Sequence, residues 1–278
     1  MKYKSLLKFL IFLSVFTFSN YLFADEYTLI EKTVESANYK NIDINTFTGS
    51  VTIKTWDKPA VNVAIRGNQD ALKNVDYTID NKDGNVTVTT NAKDESNKSI
   101  LDLKIEVLVP RYFNPTVKTI GGEIKIVNLT GNIKLETAAN DIYVYEFNGE
   151  SDLKTTGGNI KVSTFKGNVK AITTGGNINL DGSEGEINAE TSGGDIKVKY
   201  AGNNLGMTLK NTGGDIKLIL PETFKANLDA TATAGEIKTD FSVLVEKDLS
   251  QQTLKGIING GGGIIKCTTT GGKISIIK

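Results

Sequence analysis

The sequence predicts an all-β chain, a parallel β-helix (β-solenoid) with about 18-residue coils, each of two similar limbs. Three observations carry this expectation. A Gly-Gly unit recurs in phase as Thr119-Ile-Gly-Gly-Glu-Ile-Lys-Ile126, Thr155-Thr-Gly-Gly-Asn-Ile-Lys-Val162, Thr173-Thr-Gly-Gly-Asn-Ile-Asn-Leu180, Thr191-Ser-Gly-Gly-Asp-Ile-Lys-Val198 and Asn211-Thr-Gly-Gly-Asp-Ile-Lys-Leu218. Apolar and polar residues alternate within each unit, the period of a strand whose successive side chains point to opposite faces. Finally, 28 Gly stand against 4 Pro in a chain dominated by Ile, Val, Thr, Lys, Asn and Asp, which favours strands parted by turns over helices.

Taken in order, residues 1–24 combine a basic start (Lys2, Lys4, Lys8), an apolar stretch from Phe9 to Phe18 and a polar exit before Asp25, which reads as a secretory signal peptide. The apolar stretch is shorter than the roughly 20 residues that span a bilayer, and no transmembrane segment is expected in the mature chain. Residues 25–118 form an irregular, β-rich beginning of the solenoid, with looser units at Phe47-Thr-Gly-Ser-Val-Thr-Ile53 and Asp83-Gly-Asn-Val-Thr-Val88. The regular solenoid occupies residues 119–278. It is broken by an insertion at 240–255 whose Phe241, Val243, Leu244 and Val245 make it a candidate cap or partner contact.

The turns are assigned to Gly122, Asn140, Gly158, Gly176, Gly194, Gly214, Gly235 and Gly272, with a second set halfway between at Gly131, Gly149, Gly167 and Gly185. Asn140 falls where the 18-residue step calls for Gly, and Asn tolerates a left-handed backbone better than other side chains, so a positive φ is expected there. Stacking the coils puts Ile124, Ile142, Ile160, Ile178, Ile196, Ile216 and Ile237 in one inward column. Ile126, Val144, Val162, Leu180, Val198 and Leu218 form a second, with Ile133, Leu135, Leu153, Val169 and Ile187 on the opposite limb. No coil can bury its apolar face alone, so neighbours are obligatory.

The outward columns form an acidic or amide stripe (Glu123, Asp141, Asn159, Asn177, Asp195, Asp215, Glu236) beside a largely basic one (Lys125, Tyr143, Lys161, Asn179, Lys197, Lys217, Lys238). Lys161, Lys197, Lys217, Asp195 and Asp215 are the candidate surface stripe for a ligand; the competing explanation is that stacked like charges need opposite charges beside them. No catalytic, cofactor-binding or metal-binding residue is assigned. The chain has no His and only Arg66 and Arg111 as arginines, which starves it of the usual groups for proton transfer and bidentate anion capture. Removing the leader leaves 29 basic against 32 acidic side chains, a net charge of −3 that points away from nucleic acid. Cys267, the lone cysteine, cannot form an intramolecular disulfide and reads as a small buried apolar residue.

The repeated T-[TS]-G-G-[DN]-I-K-[VL] unit, the Leu108-Val-Pro-Arg111 step before the regular coils and the Gly-rich run at 258–263 leading to Thr270-Gly-Gly-Lys-Ile-Ser-Ile276 carry a resemblance. Over residues 40–278 the chain resembles the bacterial adhesin-like β-strand-repeat domains of unknown function. That resemblance implies a parallel β-helix without an established activity and transfers no catalytic residues. The expected function is that of an exported, non-enzymatic scaffold or adhesin-like protein in the periplasm, on the cell surface or outside the cell. Its partner would be an envelope, surface-protein or glycan ligand, and self-association through the C-terminal coil is a further possibility. Two alternatives stay open: a β-helical polysaccharide-degrading enzyme and a calcium-binding repeat protein, although the acids are spread one per coil and the Gly-Gly-x-Gly-x-Asp calcium unit is incomplete.

Overall fold

Alternating strands pair best when each inward side chain meets its equivalent one repeat away, and the middle of the chain adopts that register. The computed structural model describes residues 26–35, 40–82, 84–245 and 252–278, so the expected signal peptide lies outside the described residues. Strand Ile142–Lys154 runs parallel to Ile124–Thr137 with Ile142 opposite Ile124, Val144 opposite Ile126 and Leu153 opposite Leu135, an offset of 18 residues. The same offset carries on to Ile160–Lys166 and Ile178–Ser183 and lengthens to 20 where Ile196 meets Ile216 and Ile187 meets Met207. Among the described residues the helices are only Gln69–Asn74 and the 3-10 turn Glu95–Ile100, and the chain is all-β.

The pairings form two series, one through Ile124 and its equivalents and one through Ile133 and its equivalents, joined within a repeat by a bend. The bend is a left-handed residue, Asn128, Glu146, Thr164 or Glu184 in successive repeats, at φ 59, 53, 57 and 63°. Behind it stands an inward column that the alternation did not reveal: Leu129, Phe147, Phe165 and Tyr200, all buried. Tyr200 is accommodated because its hydroxyl donates to the carbonyls of Gly185 at 3.0 Å or Asn203 at 2.9 Å. Each buried aliphatic or aromatic side chain of these columns contributes about 1.5–3 kcal/mol before entropy costs.

The expected inward column requires one correction. Ile237 does not follow Ile216. Strand Ile216–Ile219 pairs with Ile274–Ile277, and Ile237–Thr239 pairs with the far side of that same strand. In the other series Ile264–Thr269 likewise lies between Met207–Asn211 and Ala226–Ala232. The last repeat of the chain is therefore threaded between two earlier ones. Repeats that share one inward pattern can pair in any order, so chain order is set by the connection rather than by the strands. That connection turns back as antiparallel strands: Thr253–Ile258 pairs with Ala226–Ala232 and with Val243–Val245. The insertion expected at 240–255 thus supplies sheet strands, with residues 246–251 outside the described ones. The terminal strand Ile274–Ile277 is paired along both edges.

At the other end, Ser50–Trp56 pairs in parallel with both Ile124–Thr137 and Leu103–Pro110. Two antiparallel strands follow, Ala60–Gly67 and then Tyr27–Glu35. The second series continues through Asn114–Thr119, Asn41–Thr46 and Asn85–Ala92 and closes with antiparallel Val75–Lys82.

The turn residues stand between strands, but the reason for glycine differs from the expected one. Asn140 is not among the positive-φ residues, nor are Gly158, Gly176 or Gly194; of the halfway set Gly131, Gly149 and Gly167 are left-handed and Gly185 is not. A Cβ on Gly176 would lie 2.0 Å from the Gly158 carbonyl oxygen, and one on Gly194 2.1 Å from that of Gly176. At Gly176 and Gly194 the close approach of stacked backbones, not backbone handedness, excludes a side chain, whereas Asn140 carries one at the equivalent turn.

Candidate binding face

Four Gly-Gly turns are held by the threonine three residues before the second glycine, whereas Thr119, at the same place before Gly122, has a buried hydroxyl without a partner among the described residues. The Thr173 hydroxyl donates to the Gly158 carbonyl of the neighbouring repeat at 2.8 Å and accepts from the Gly176 amide at 3.4 Å. Thr155, Thr191 and Thr269 make the same pair of bonds. Asn211 replaces Thr at this station because an amide also carries both functions: its Nδ2 donates to the Gly194 carbonyl at 2.7 Å and its Oδ1 accepts from the Gly214 amide at 3.1 Å. Thr173→Val keeps the shape and strips both bonds, leaving buried backbone groups unsatisfied; a loss of about 1–3 kcal/mol in urea unfolding is expected.

The acidic and amide stripe is a second ladder. Asp141 Oδ1 accepts from the Asn159 amide at 2.6 Å, Asn159 Oδ1 from Asn177 at 2.9 Å, Asn177 Oδ1 from Asp195 at 2.7 Å and Asp195 Oδ1 from Asp215 at 2.8 Å. Asp215 Oδ1 then accepts from the Lys273 amide at 2.8 Å, so the ladder follows the spatial order into the threaded repeat. Glu236 is not part of it. Its carboxylate pairs with Lys238 at 2.8 Å and Lys273 at 3.4 Å, and these hydrogen bonds hold its pKa below the ordinary value.

Lys161, Lys197 and Lys217 stand two residues beyond the ladder, exposed on the outward face. Among the described residues none of these three forms an ion pair, so beside them the two stripes do not neutralise one another side chain to side chain as Glu236 and Lys238 do; the Asp195 and Asp215 carboxylates are turned to backbone amides instead. Lys125 and Lys161 flank an aromatic rung. The Tyr143 and Tyr145 rings lie 6.2 Å apart and 8° from parallel, and the ammoniums of Lys125 and Lys161 sit 5.7 and 6.0 Å from the Tyr145 centroid. The Tyr143 hydroxyl donates to Asp141 Oδ2 at 2.7 Å; that bond, helped by partial burial, pushes its pKa up to about 12. Tyr145 escaped the sequence reading, although its spacing from Tyr143 on one strand put both rings on one face.

Cys267 is fully buried between Leu209 and Ala230 of the neighbouring strands. Burial foremost, and then the Asp229 charge, pushes its thiol up to about 12. A thiol whose folded pKa exceeds the unfolded one stabilises the fold at neutral pH and loses that contribution as pH rises from the unfolded towards the folded value. Iodoacetamide is expected to leave the native protein unmodified at pH 8 and to label Cys267 once urea unfolds it, as read by mass. Among the described residues no group of three or more His, Cys, Asp or Glu is placed to hold a metal ion.

Residues 39–277 match the Toastrack DUF4097 family. The chain belongs to that family. Among solved structures, the Toastrack chain is similar to a putative adhesin from Bacteroides fragilis, at 14% identity over 89% of this chain and 96% of that one, with a TM-score of 0.41. A putative adhesin from Parabacteroides distasonis matches at 14% identity over 91% and 98%, TM-score 0.36. A putative lipid binding protein from the same organism matches at 10% identity over 89% and 96%, TM-score 0.29. No curated protein matches the Toastrack chain in sequence.

Proposed function

We propose that this protein is an exported, non-enzymatic binding protein of the bacterial envelope, adhesin-like or scaffolding, working in the periplasm, on the cell surface or outside the cell. Its architecture in this reading is a parallel β-helix with coils of about 18 residues and two similar limbs, for which the parallel offset of 18 residues is the support. One observation carries the functional reading: the acids that the repeat sets in line, Asp141, Asp195 and Asp215, are committed to the backbone amides of the next repeat, so they serve stacking rather than proton transfer. What the repeat leaves facing outward is a long display of lysine, tyrosine and small polar side chains, suited to contact along a surface. Among the described residues no helix is long and apolar enough to cross a membrane.

Cell fractionation followed by binding of the purified protein to envelope preparations tests this. Recovery in exported fractions with saturable envelope binding is expected; a strictly cytoplasmic protein that binds no envelope contradicts it. Calcium offers a second check. Because Asp195 and Asp215 already accept backbone bonds, excess calcium over chelator is expected to leave the melting temperature unchanged, whereas a native-state ligand would raise it.

A further inference from the structure

The face that carries Lys161, Lys197 and Lys217 has a periodicity of its own. Across the parallel pairings, Lys125, Tyr143, Lys161, Asn179, Lys197, Lys217 and Ser275 are consecutive neighbours in one outward column. Lys125, Lys161 and Lys197 thus stand on alternate repeats, about 9–10 Å apart at ordinary strand spacing, with Tyr143 and Asn179 between, and Lys217 follows Lys197 directly. The parallel column two residues on holds Tyr145, Ser163, Asp181 and Lys199. Because Asn179 and Ser163 are short while Lys161, Lys197 and Lys199 are long, a shallow depression opens between the lysines, with the exposed Asp181 in its lining. Asp181 is the one acid in these two columns between Lys125 and Ile219, and it pairs with Lys199 at 3.5 Å.

From this face we infer a ligand class: an extended acidic polysaccharide carrying one carboxylate per disaccharide, lying across the repeats. The inference rests on the binding-protein reading above and names the ligand of the same surface. Charge complementarity sets the first requirement, since unpaired ammoniums two repeats apart match carboxylates that recur on the scale of a disaccharide in an extended glycan. A nucleic acid fits poorly, with a phosphate every 3.4 Å along each strand, several times denser than the lysines. The second requirement comes from what stands between the lysines. Asn179, Ser163 and Asp181 offer amide, hydroxyl and carboxylate partners for sugar hydroxyls, and Asp181 repels a polymer charged at every unit. The near-parallel Tyr143 and Tyr145 rings, at the end of the depression nearest Lys161, provide the apolar platform on which the C–H face of a pyranose packs. The Asp141, Asp195 and Asp215 ladder borders the face on one side and confines an anionic chain to the lysine column.

The test titrates the purified protein with two probes of this charge spacing, hyaluronan and unsulfated chondroitin, beside uncharged dextran and inorganic polyphosphate. At least one uronate probe is expected to bind, more weakly as salt rises, with dextran not binding and polyphosphate binding less tightly. Lys161→Gln with Lys197→Gln is expected to weaken binding at least about tenfold, the equivalent of 1.4 kcal/mol. Lys134→Gln with Lys154→Gln, the same charge loss on outward positions of the other series, should leave it unchanged, and thermal melts confirm that both pairs fold. Tyr145→Ala should weaken binding while keeping its salt dependence. Equal loss in the two lysine pairs, equal binding of dextran, tighter binding of polyphosphate, or no binding of either uronate probe overturns the assignment. Envelope binding measured in parallel separates the two levels: a Lys161/Lys197 variant that still binds envelopes sinks the ligand class alone, and a wild type that binds none sinks the reading beneath it.

Discussion

Replacing Ile276 by alanine is expected to cost about 2–5 kcal/mol, as much as Ile178→Ala in the middle of the stack, although Ile276 is the third residue from the chain's end. Chain termini are ordinarily where structure frays and substitutions are tolerated. Here the terminal strand Ile274–Ile277 is central: it bonds to Ile216–Ile219 on one side and to Ile237–Thr239 on the other, and Ile274 and Ile276 are as buried as any residue of the inward columns. Removing side-chain volume there leaves a cavity that neither neighbour can close without breaking its own register. Deleting residues 264–278 goes further, because it separates Met207–Asn211 from Ala226–Ala232 as well as Ile216–Ile219 from Ile237–Thr239. The truncated chain should lose cooperative unfolding. Urea unfolding reads both effects, and a cost below about 1 kcal/mol for Ile276→Ala would place that residue at a frayed end after all.

The second large effect lies in the turns, where the two glycines of one Gly-Gly pair are expected to behave oppositely. Gly176→Ala should destabilise by more than about 3 kcal/mol or abolish folding, because its Cβ would sit 2.0 Å from the Gly158 carbonyl oxygen and 2.4 Å from the carbonyl carbon. Backbone atoms hydrogen-bonded into a stack cannot step aside as a side-chain tip can. Gly175→Ala, whose Cβ would find nothing closer than the Thr156 oxygen at 3.7 Å, should stay within about 1 kcal/mol of wild type. Gly176→Asn separates the two explanations of the glycine. A left-handed turn would accept Asn at modest cost, whereas close backbone approach makes it as damaging as Ala. Melting temperatures of the three variants decide the matter.

The same residues show what a sequence can and cannot disclose about this protein. The inward columns from Ile124 to Ile196 were legible because strand alternation and a constant step of 18 residues act together: a slip of one residue would turn every isoleucine outward. The position of Ile274 was not legible for the converse reason. Repeats with one inward pattern are interchangeable partners, and only the path of residues 240–263 decides which of them meet. Glycine at 176 was legible as a requirement but not as a mechanism, since a positive φ and a steric contact select the same residue. Antiparallel pairing of Tyr27–Glu35, Ala60–Gly67 and Val75–Lys82 was hidden because alternation is the same in either direction. Of the candidate stripe, the residues were legible and their division of labour was not. Asp195 and Asp215 hold the stack while Lys161, Lys197 and Lys217 remain outward, a distinction made by which partner each carboxylate oxygen finds in the next repeat.

Everything about the outward face depends on the order in which the repeats stack, and a pair of engineered cysteines reads that order directly. Lys217 and Ser275 are register partners on neighbouring strands, so their Cα atoms stand about 4.8 Å apart, inside the 4.4–6.8 Å range that a disulfide spans. Lys238 lies one strand further on, opposite Ser275, and so about 9–10 Å from Lys217. Under mild oxidant, Lys217→Cys with Ser275→Cys should form an intramolecular disulfide, seen as a mass loss of about two hydrogens and a shift in gel mobility, while Lys217→Cys with Lys238→Cys should not. Ready closure of the second pair and failure of the first would contradict the threaded order.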